Sequence, residues 1–309
     1  MSDLMKIKRF SYLIKSIGMV FLSLACVFGV QAKLRIVTSI FPLEEFAAAV
    51  VGERGDVSCL LPPGAEIHSW KPRPSDIVRL SGADLFIYNG AGLEPWMEDI
   101  LRSLNRPRMK TLDAAAGMRE FHAGHGHEGH GHGDIDPHVW LDFEYDQILV
   151  DRILDLVVEL DPQGADGYRL RAAAYKAELA DLDEFYRESL KSARGKTFIF
   201  GGHAAFGYLA ERYGLRQMSL YGLSPNARPK PKQMAGITDF ARKNNVKVIF
   251  FEQFVSPELA RVIADEVGAE IRVLYPGANR TAAQVRERVS FLQLMRMNLE
   301  NLCHGLIRE

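Results

Sequence analysis

Short apolar runs alternate with segments of helical period along most of the chain. Leu34–Ser39 (LRIVTS) reads as a strand, Leu43–Val51 as a helix, and Val57–Leu61 (VSCLL) as a strand stopped by Pro62-Pro63-Gly64. Ser75–Ser81 follows as a short helix with Ser75 as its N-cap. Leu85–Tyr88 (LFIY) is a buried-type strand, Glu94–Leu104 a helix, and Met109–Leu112 a weak last strand. Strands that alternate with helices pair in parallel and build an α/β layer structure.

Between Phe143 and Arg194 the strand pattern vanishes. Ile148, Leu149, Ile153, Leu156, Val157 and Leu160 recur at helical spacing. After Asp161-Pro162 a second helix runs from about Ala165 to Ser192. A helix of about 28 residues spans about 42 Å at 1.5 Å per residue, more than one small α/β domain needs. It reads as a stiff connector between two lobes. The alternation then resumes. Thr197–Phe200 (TFIF), Leu215–Leu220, Val246–Phe251 (VKVIFF) and Glu270–Leu274 are strands; His203–Tyr213, Lys232–Asn244, Pro257–Val267 and Ala282 to about Leu306 are helices.

The N-terminus follows a third pattern. Lys6, Lys8, Arg9 and Lys15 precede an apolar run, Ile17–Val30, and Val30-Gln31-Ala32 puts small residues where a signal cleavage site wants them. The run is too short for a comfortable membrane span. The expectation is a signal peptide over residues 1–32, cleaved after Ala32, and a periplasmic product. Leu24-Ala25-Cys26 partly matches a lipoprotein box, so anchoring through Cys26 is the alternative, with Ser23 fitting poorly. The rest divides into an N-terminal α/β lobe at 33–142, a helical region at 143–194, and a C-terminal α/β lobe at 195–309. Two lobes suit its length, which is long for one core.

Composition narrows the function. A formal net charge of −1 leaves no electrostatic footprint for nucleic acid. Hydrophobic content of 47% with 25% charged residues is that of a soluble globular protein. Beyond the signal only Cys59 and Cys303 remain. An oxidising compartment would let them pair, but Cys59 lies in an apolar strand pattern, which favours two buried thiols.

The most unusual stretch is Phe121–Asp142, FHAGHGHEGHGHGDIDPHVWLD. His122, His125, His127, His130 and His132 alternate with glycine and acidic residues, with too little apolar surface to offset ordering entropy. A loop of this composition, over 122–133, points to weak metal binding, though a solvated linker shares it. His138 differs. Pro137 fixes the backbone before it, and Val139-Trp140-Leu141 anchors the segment after it.

In open α/β sheets ligands sit beyond the carboxyl ends of the strands. After VSCLL comes His68, after the last N-lobe strand comes the loop ending in His138, after TFIF comes Gly201-Gly202-His203, and VKVIFF is followed by Glu252. Each has an ordinary reading: a loop histidine at 68, a solvent-bonded helix N-terminal histidine at 203. The positive end of that helix would keep His203 neutral. Glu252 fits a carboxylate that orients a liganding imidazole or completes the ligand set. His304, near the chain end, reads as a structural or surface residue. Three neutral imidazoles around a tetrahedral ion suit Zn2+, whereas manganese wants more oxygen.

Five segments resemble, in order and spacing, the zinc-binding solute-binding proteins of metal ABC transporters: PPGAEIHSWKPRPSDI, DPHVWLD, FIFGGHAAFGYLAERYGL, LSPNARPKPKQM and FFEQFVSPELARVIADEVGAEIRVL. The resemblance covers essentially the whole mature chain. It implies two parallel-sheet α/β lobes joined by one long rigid helix, with metal in the cleft between them. By position, the family's liganding histidines match His68, His138 and His203. Manganese-binding relatives carry a carboxylate at the position of His203, so the histidine here points to zinc. One position departs: Tyr275 stands where the family often has an acidic residue, leaving the fourth ligand to water or another carboxylate. The implied function is extracytoplasmic capture of Zn2+ and delivery to the membrane permease of an ABC transporter, by a non-enzymatic monomer. A manganese or other divalent-metal carrier and a metal-buffering adhesin are the near alternatives. From another class comes a secreted His₃ zinc hydrolase with Glu252 as base, which would lack the H-E-x-x-H spacing of metalloproteases.

Overall fold

The computed structural model describes residues 32–104, 106–118, 135–223 and 231–307. The signal run with Cys26 and the loop histidines at 122, 125, 127, 130 and 132 lie outside the described residues. Two four-stranded parallel sheets organise the rest. The first contains β1 (Leu34–Thr38), β2 (Gly55–Cys59), β3 (Leu85–Tyr88) and β4 (Lys110–Asp113) in the order β2-β1-β3-β4. The second contains β5 (Thr197–Phe200), β6 (Arg216–Ser219), β7 (Val248–Glu252) and β8 (Glu270–Leu274) in the order β6-β5-β7-β8. The same winding occurs twice. In each sheet the order reverses between two central strands, β1 and β3 or β5 and β7, and a crevice opens there at the carboxyl ends. Central strands covered on both faces must be apolar throughout, as Phe86, Ile87, Ile199 and Phe200 are, all fully buried.

Helices cover the sheets: α1 (Phe41–Val51), α2 (Pro74–Ser81) and α3 (Met97–Leu104) in the first lobe, then α4 (Phe143–Leu160) and α5 (Ala165–Ser189). The second lobe carries α6 (Gly207–Tyr213), α7 (Pro231–Lys243), α8 (Glu258–Val267), α9 (Ala282–Arg286) and α10 (Phe291–Leu306). The 25 residues of α5 reach about 37 Å. Its first half holds the N-lobe: Arg171 donates to the carbonyls of Val50 and Val51 at 2.8 and 3.0 Å. Its last turns hold the C-lobe: Tyr186 Oη donates to Met295 O at 2.5 Å, and Asp183 meets Arg212 and Tyr213. The long helix therefore joins the lobes, three residues shorter than the pattern suggested, because Lys191–Ala193 winds into a 3-10 turn. Among the described residues no helix is long and apolar enough to cross a membrane.

Other differences concern helix ends. Ser75 is not the cap of α2; the helix starts at Pro74, and Asp76 accepts the Arg73 N–H at 2.8 Å. Glu94 stays outside α3 because its carboxylate accepts the N–H groups of Asn89 and Gly90 at 2.9 and 3.0 Å. The closing helix is two helices. Arg288 turns into the left-handed region (φ 54), and Thr281–Gln284 and Ser290–Gln293 each close a reciprocal N-terminal cap. Cys59 and Cys303 are separate thiols, and burial pushes Cys59 up to about 12. His304 Nε2 lies 2.6 Å from a carboxylate oxygen of Glu270.

Candidate metal centre

The three strand-end histidines come together. His68 arrives on the loop after β2, His138 on the 3-10 turn leading into α4, and His203 on the segment after β5. Their Nε2 atoms converge, with 2.9 Å between His138 and His203 and 3.3 Å between His68 and His203. Two nitrogens bound to one tetrahedral zinc at 2.0–2.1 Å stand about 3.3 Å apart. Among the described residues this is the one cluster of three or more such side chains with metal-ligating spacing.

His138 and His203 are held in the same way. Asp136 Oδ1 meets both the backbone N–H of His138 (2.9 Å) and its Nδ1 (2.6 Å). Glu252 Oε2 meets both the backbone N–H of His203 (3.2 Å) and its Nδ1 (2.7 Å). A carboxylate on Nδ1 fixes the proton there and leaves the Nε2 lone pair for a metal. All four residues are buried. The tetrad depends on Gly202, because a Cβ there would sit 2.5 Å from Glu252 Oε2. Behind His138, Asn89 Nδ2 donates to Pro137 O at 2.8 Å, and the buried Val139-Trp140-Leu141 seats the turn.

His203 is not at a helix N-terminus, because α6 begins only at Gly207. No helix N-terminus therefore acts on its ring, and the Glu252 contact is the feature that sets its tautomer. Burial, reinforced by the two neighbouring imidazoles, takes His68 down to about 3. Burial also lowers His138, against the opposing pull of Asp136. Both are therefore neutral lone-pair donors at ordinary pH.

Tyr275 does not face the centre. Its backbone is pinned by Asn298, which accepts its N–H and donates to its carbonyl, both at 2.8 Å, and its side chain packs on the main core. Instead, Pro276–Asn279 line the cavity at the histidines, whose volume of about 20 Å³ holds one water or ion and no organic molecule. Two acidic residues line it as well, Glu252 and Glu66. Glu252 is engaged by His203. Glu66 accepts the His68 N–H at 3.0 Å through Oε1, and burial raises its carboxyl above the usual range. Sequence reasoning missed Glu66 and Asp136, although each lies two residues before a candidate histidine, in Glu66-Ile67-His68 and Asp136-Pro137-His138. That shared offset was the available signal.

The family model described as zinc-uptake complex component A, periplasmic, matches residues 36–305. The chain belongs to that family. ZnuA-type components are solute-binding proteins of zinc uptake, not enzymes. The high-affinity zinc uptake system protein ZnuA of Bacillus subtilis (strain 168) is 36% identical over 282 residues, covering 89% of this chain and 88% of that protein. The zinc-binding lipoprotein AdcA of Streptococcus pneumoniae (strain R6) is 35% identical over 305 residues, and the match spans 96% of this chain but 60% of AdcA. Among solved structures, the Zn(II)-bound ZnuA-like domain of S. pneumoniae AdcA superposes with a TM-score of 0.76 at 33% identity, over 89% of this chain and all of that domain. A crystal structure of ZnuA gives 0.77 at 27% identity, over 89% and 99%.

Proposed function

We propose that this member of the zinc-uptake component A family is an extracytoplasmic carrier that captures Zn2+ and hands it to the permease of an ABC transporter. The observation that carries the reading is the convergence of three Nε2 atoms, two of them on imidazoles whose Nδ1 is taken by a buried carboxylate. His68, His138 and His203 are the proposed ligands, and Asp136 and Glu252 orient two of them. Glu66 or a water takes the fourth position. A nitrogen-rich, four-coordinate pocket favours zinc over manganese, which prefers more oxygen. The hydrolase alternative is weakened by the 20 Å³ cavity and by Glu252, whose inward oxygen is occupied by His203 rather than placed to activate a water. The N-terminal basic and apolar pattern, with periplasmic and lipoprotein relatives, supports export, with residues 1–32 removed or Cys26 lipidated. The loop histidines at 122, 125, 127, 130 and 132 add weak, separate sites that raise metal concentration near the tight one.

The test is equilibrium competition between Zn2+ and Mn2+ on protein purified without a histidine tag or metal column. One tight zinc equivalent, preferred over manganese by at least 100-fold, is expected. Equal affinity for the two metals would overturn the zinc assignment.

A further inference from the structure

His68 is the odd member of the three. Among the described residues no carboxylate takes its Nδ1, so nothing on the ring orients it as Asp136 and Glu252 orient the other two. Its position depends on the backbone of the loop it rides on. That loop is held by Asn279, which belongs to the segment leaving β8 in the other lobe. Asn279 Nδ2 donates to Pro62 O and to Ala65 O, both at 2.8 Å, while its Oδ1 accepts the Arg280 N–H at 2.7 Å. Both amide hydrogens are used, and the residue is 6% exposed. The same segment is tied to the N-lobe on either side: Arg280 O accepts from Gly64 N at 2.9 Å, Ala278 O from Phe41 N at 3.0 Å, and Pro276 O from Trp140 Nε1 at 2.7 Å.

What lies behind the loop makes the pin matter. Asn279 lines the small metal cavity on one side, and on the other a second cavity of about 320 Å³ between α2, the 59–63 stretch and Arg280. Without the two amide bonds the His68 loop has open space to relax into, away from His138 and His203. Resting on the zinc reading above, we infer that Asn279 is the positioning residue for His68. It reaches across from the C-lobe to do through the loop backbone what Asp136 and Glu252 do through the rings.

The test is a double-mutant cycle read by zinc affinity in the full chain. Asn279→Asp keeps the shape but replaces the amide nitrogen and its two donated hydrogens by one carboxylate oxygen that faces two carbonyl oxygens. It should weaken zinc binding 10- to 100-fold, the range found when groups that orient metal ligands are removed. The loss should appear as faster release, and the visible bands of the Co2+-substituted protein should shift as one nitrogen is lost. In a His68→Ala background the same substitution should change affinity less than twofold, because the ligand it places is already gone. Asn279→Ser, which keeps one donor, should fall between wild type and Asn279→Asp, and serves in the cycle if the aspartate variant does not fold. Wild-type zinc affinity in the Asn279 variants would overturn the inference. So would an equal loss with and without His68, which marks a general effect on the fold. If His68→Ala alone leaves zinc affinity unchanged, the ligand assignment of His68 fails and the inference falls with it; an Asn279 failure beside a weakened His68→Ala leaves the zinc reading standing.

Discussion

An imidazole offers a metal one lone pair, and the group bound to its other nitrogen decides which atom carries it. At this centre Asp136 and Glu252 make that choice for His138 and His203, each from full burial and each with one oxygen doing two jobs. Replacing Asp136 by asparagine lets the amide present either an acceptor or a donor to Nδ1. Zinc affinity should fall 10- to 100-fold in Asp136→Asn, measured against a competing chelator; a change under threefold would show that the ring is held by packing alone. Titration supplies a second prediction. The folded-state value of His68 is depressed, from 6.5 to about 3. In that pH window the unfolded chain takes up a proton that the folded protein refuses, so stability present above 6.5 is lost as pH falls toward 3. Between pH 7 and pH 5 the metal-free wild type should lose about 2 kcal/mol relative to His68→Gln, at 1.36 kcal/mol per pK unit. Parallel denaturation curves of the two proteins at both pH values would contradict it. The three histidines were legible in the sequence because each follows a strand, where α/β sheets place ligands. Of their carboxylate partners, Glu252 was legible at the end of VKVIFF and Asp136 was not: spacing alone does not show that Asp136 folds back on His138, or that Glu66 rather than Tyr275 lines the cavity.

Elements were legible where one pattern dominated. LFIY and TFIF are strands at the residues their apolar runs mark, because both faces are covered. Helix starts were harder, since side-chain bonds decide them. Glu94 has the propensity to open a helix but is spent on the turn after β3, and Gly201–Phe206 stays irregular to bring His203 to Glu252. The double cap that splits the closing helix was written in Thr281–Gln284 and Ser290–Gln293, and the continuous helical period around it masked the break. Between elements, Arg212 on α6 is the main ionic joint. With 12% of its side chain exposed, it forks onto Asp183 of α5 at 2.7 and 2.6 Å and reaches Glu144 of α4 at 2.7 Å. Arg212→Ala leaves Asp183 only the half-exposed Arg187 at 2.9 Å and the Tyr213 hydroxyl at 2.8 Å, and should cost about 2 kcal/mol. Urea unfolding reads this directly, and a loss below 1 kcal/mol would place the joint among surface ion pairs.

At the scale of the molecule, the same strand order occurs twice, and each lobe brings histidines from the carboxyl ends of its strands. His68 and His138 come from the first sheet's side and His203 from the second's, so the centre exists only where the lobes meet. The two-lobe plan was visible from the alternation on either side of a long strandless region, and α5 is the helix that region predicts. The strap at Pro276–Arg280 was not visible. It forms from a stretch with neither strand nor helix period, and its hydrogen bonds to the N-lobe are set by tertiary geometry. On the proposed reading these three histidines, from both lobes, make one tight zinc site. Zinc titration of untagged protein, wild type beside His203→Ala, tests it most directly. The tight equivalent should weaken by at least 100-fold in His203→Ala while the weak equivalents of the histidine-rich loop persist. A His203→Ala protein that binds zinc as tightly as wild type would contradict it.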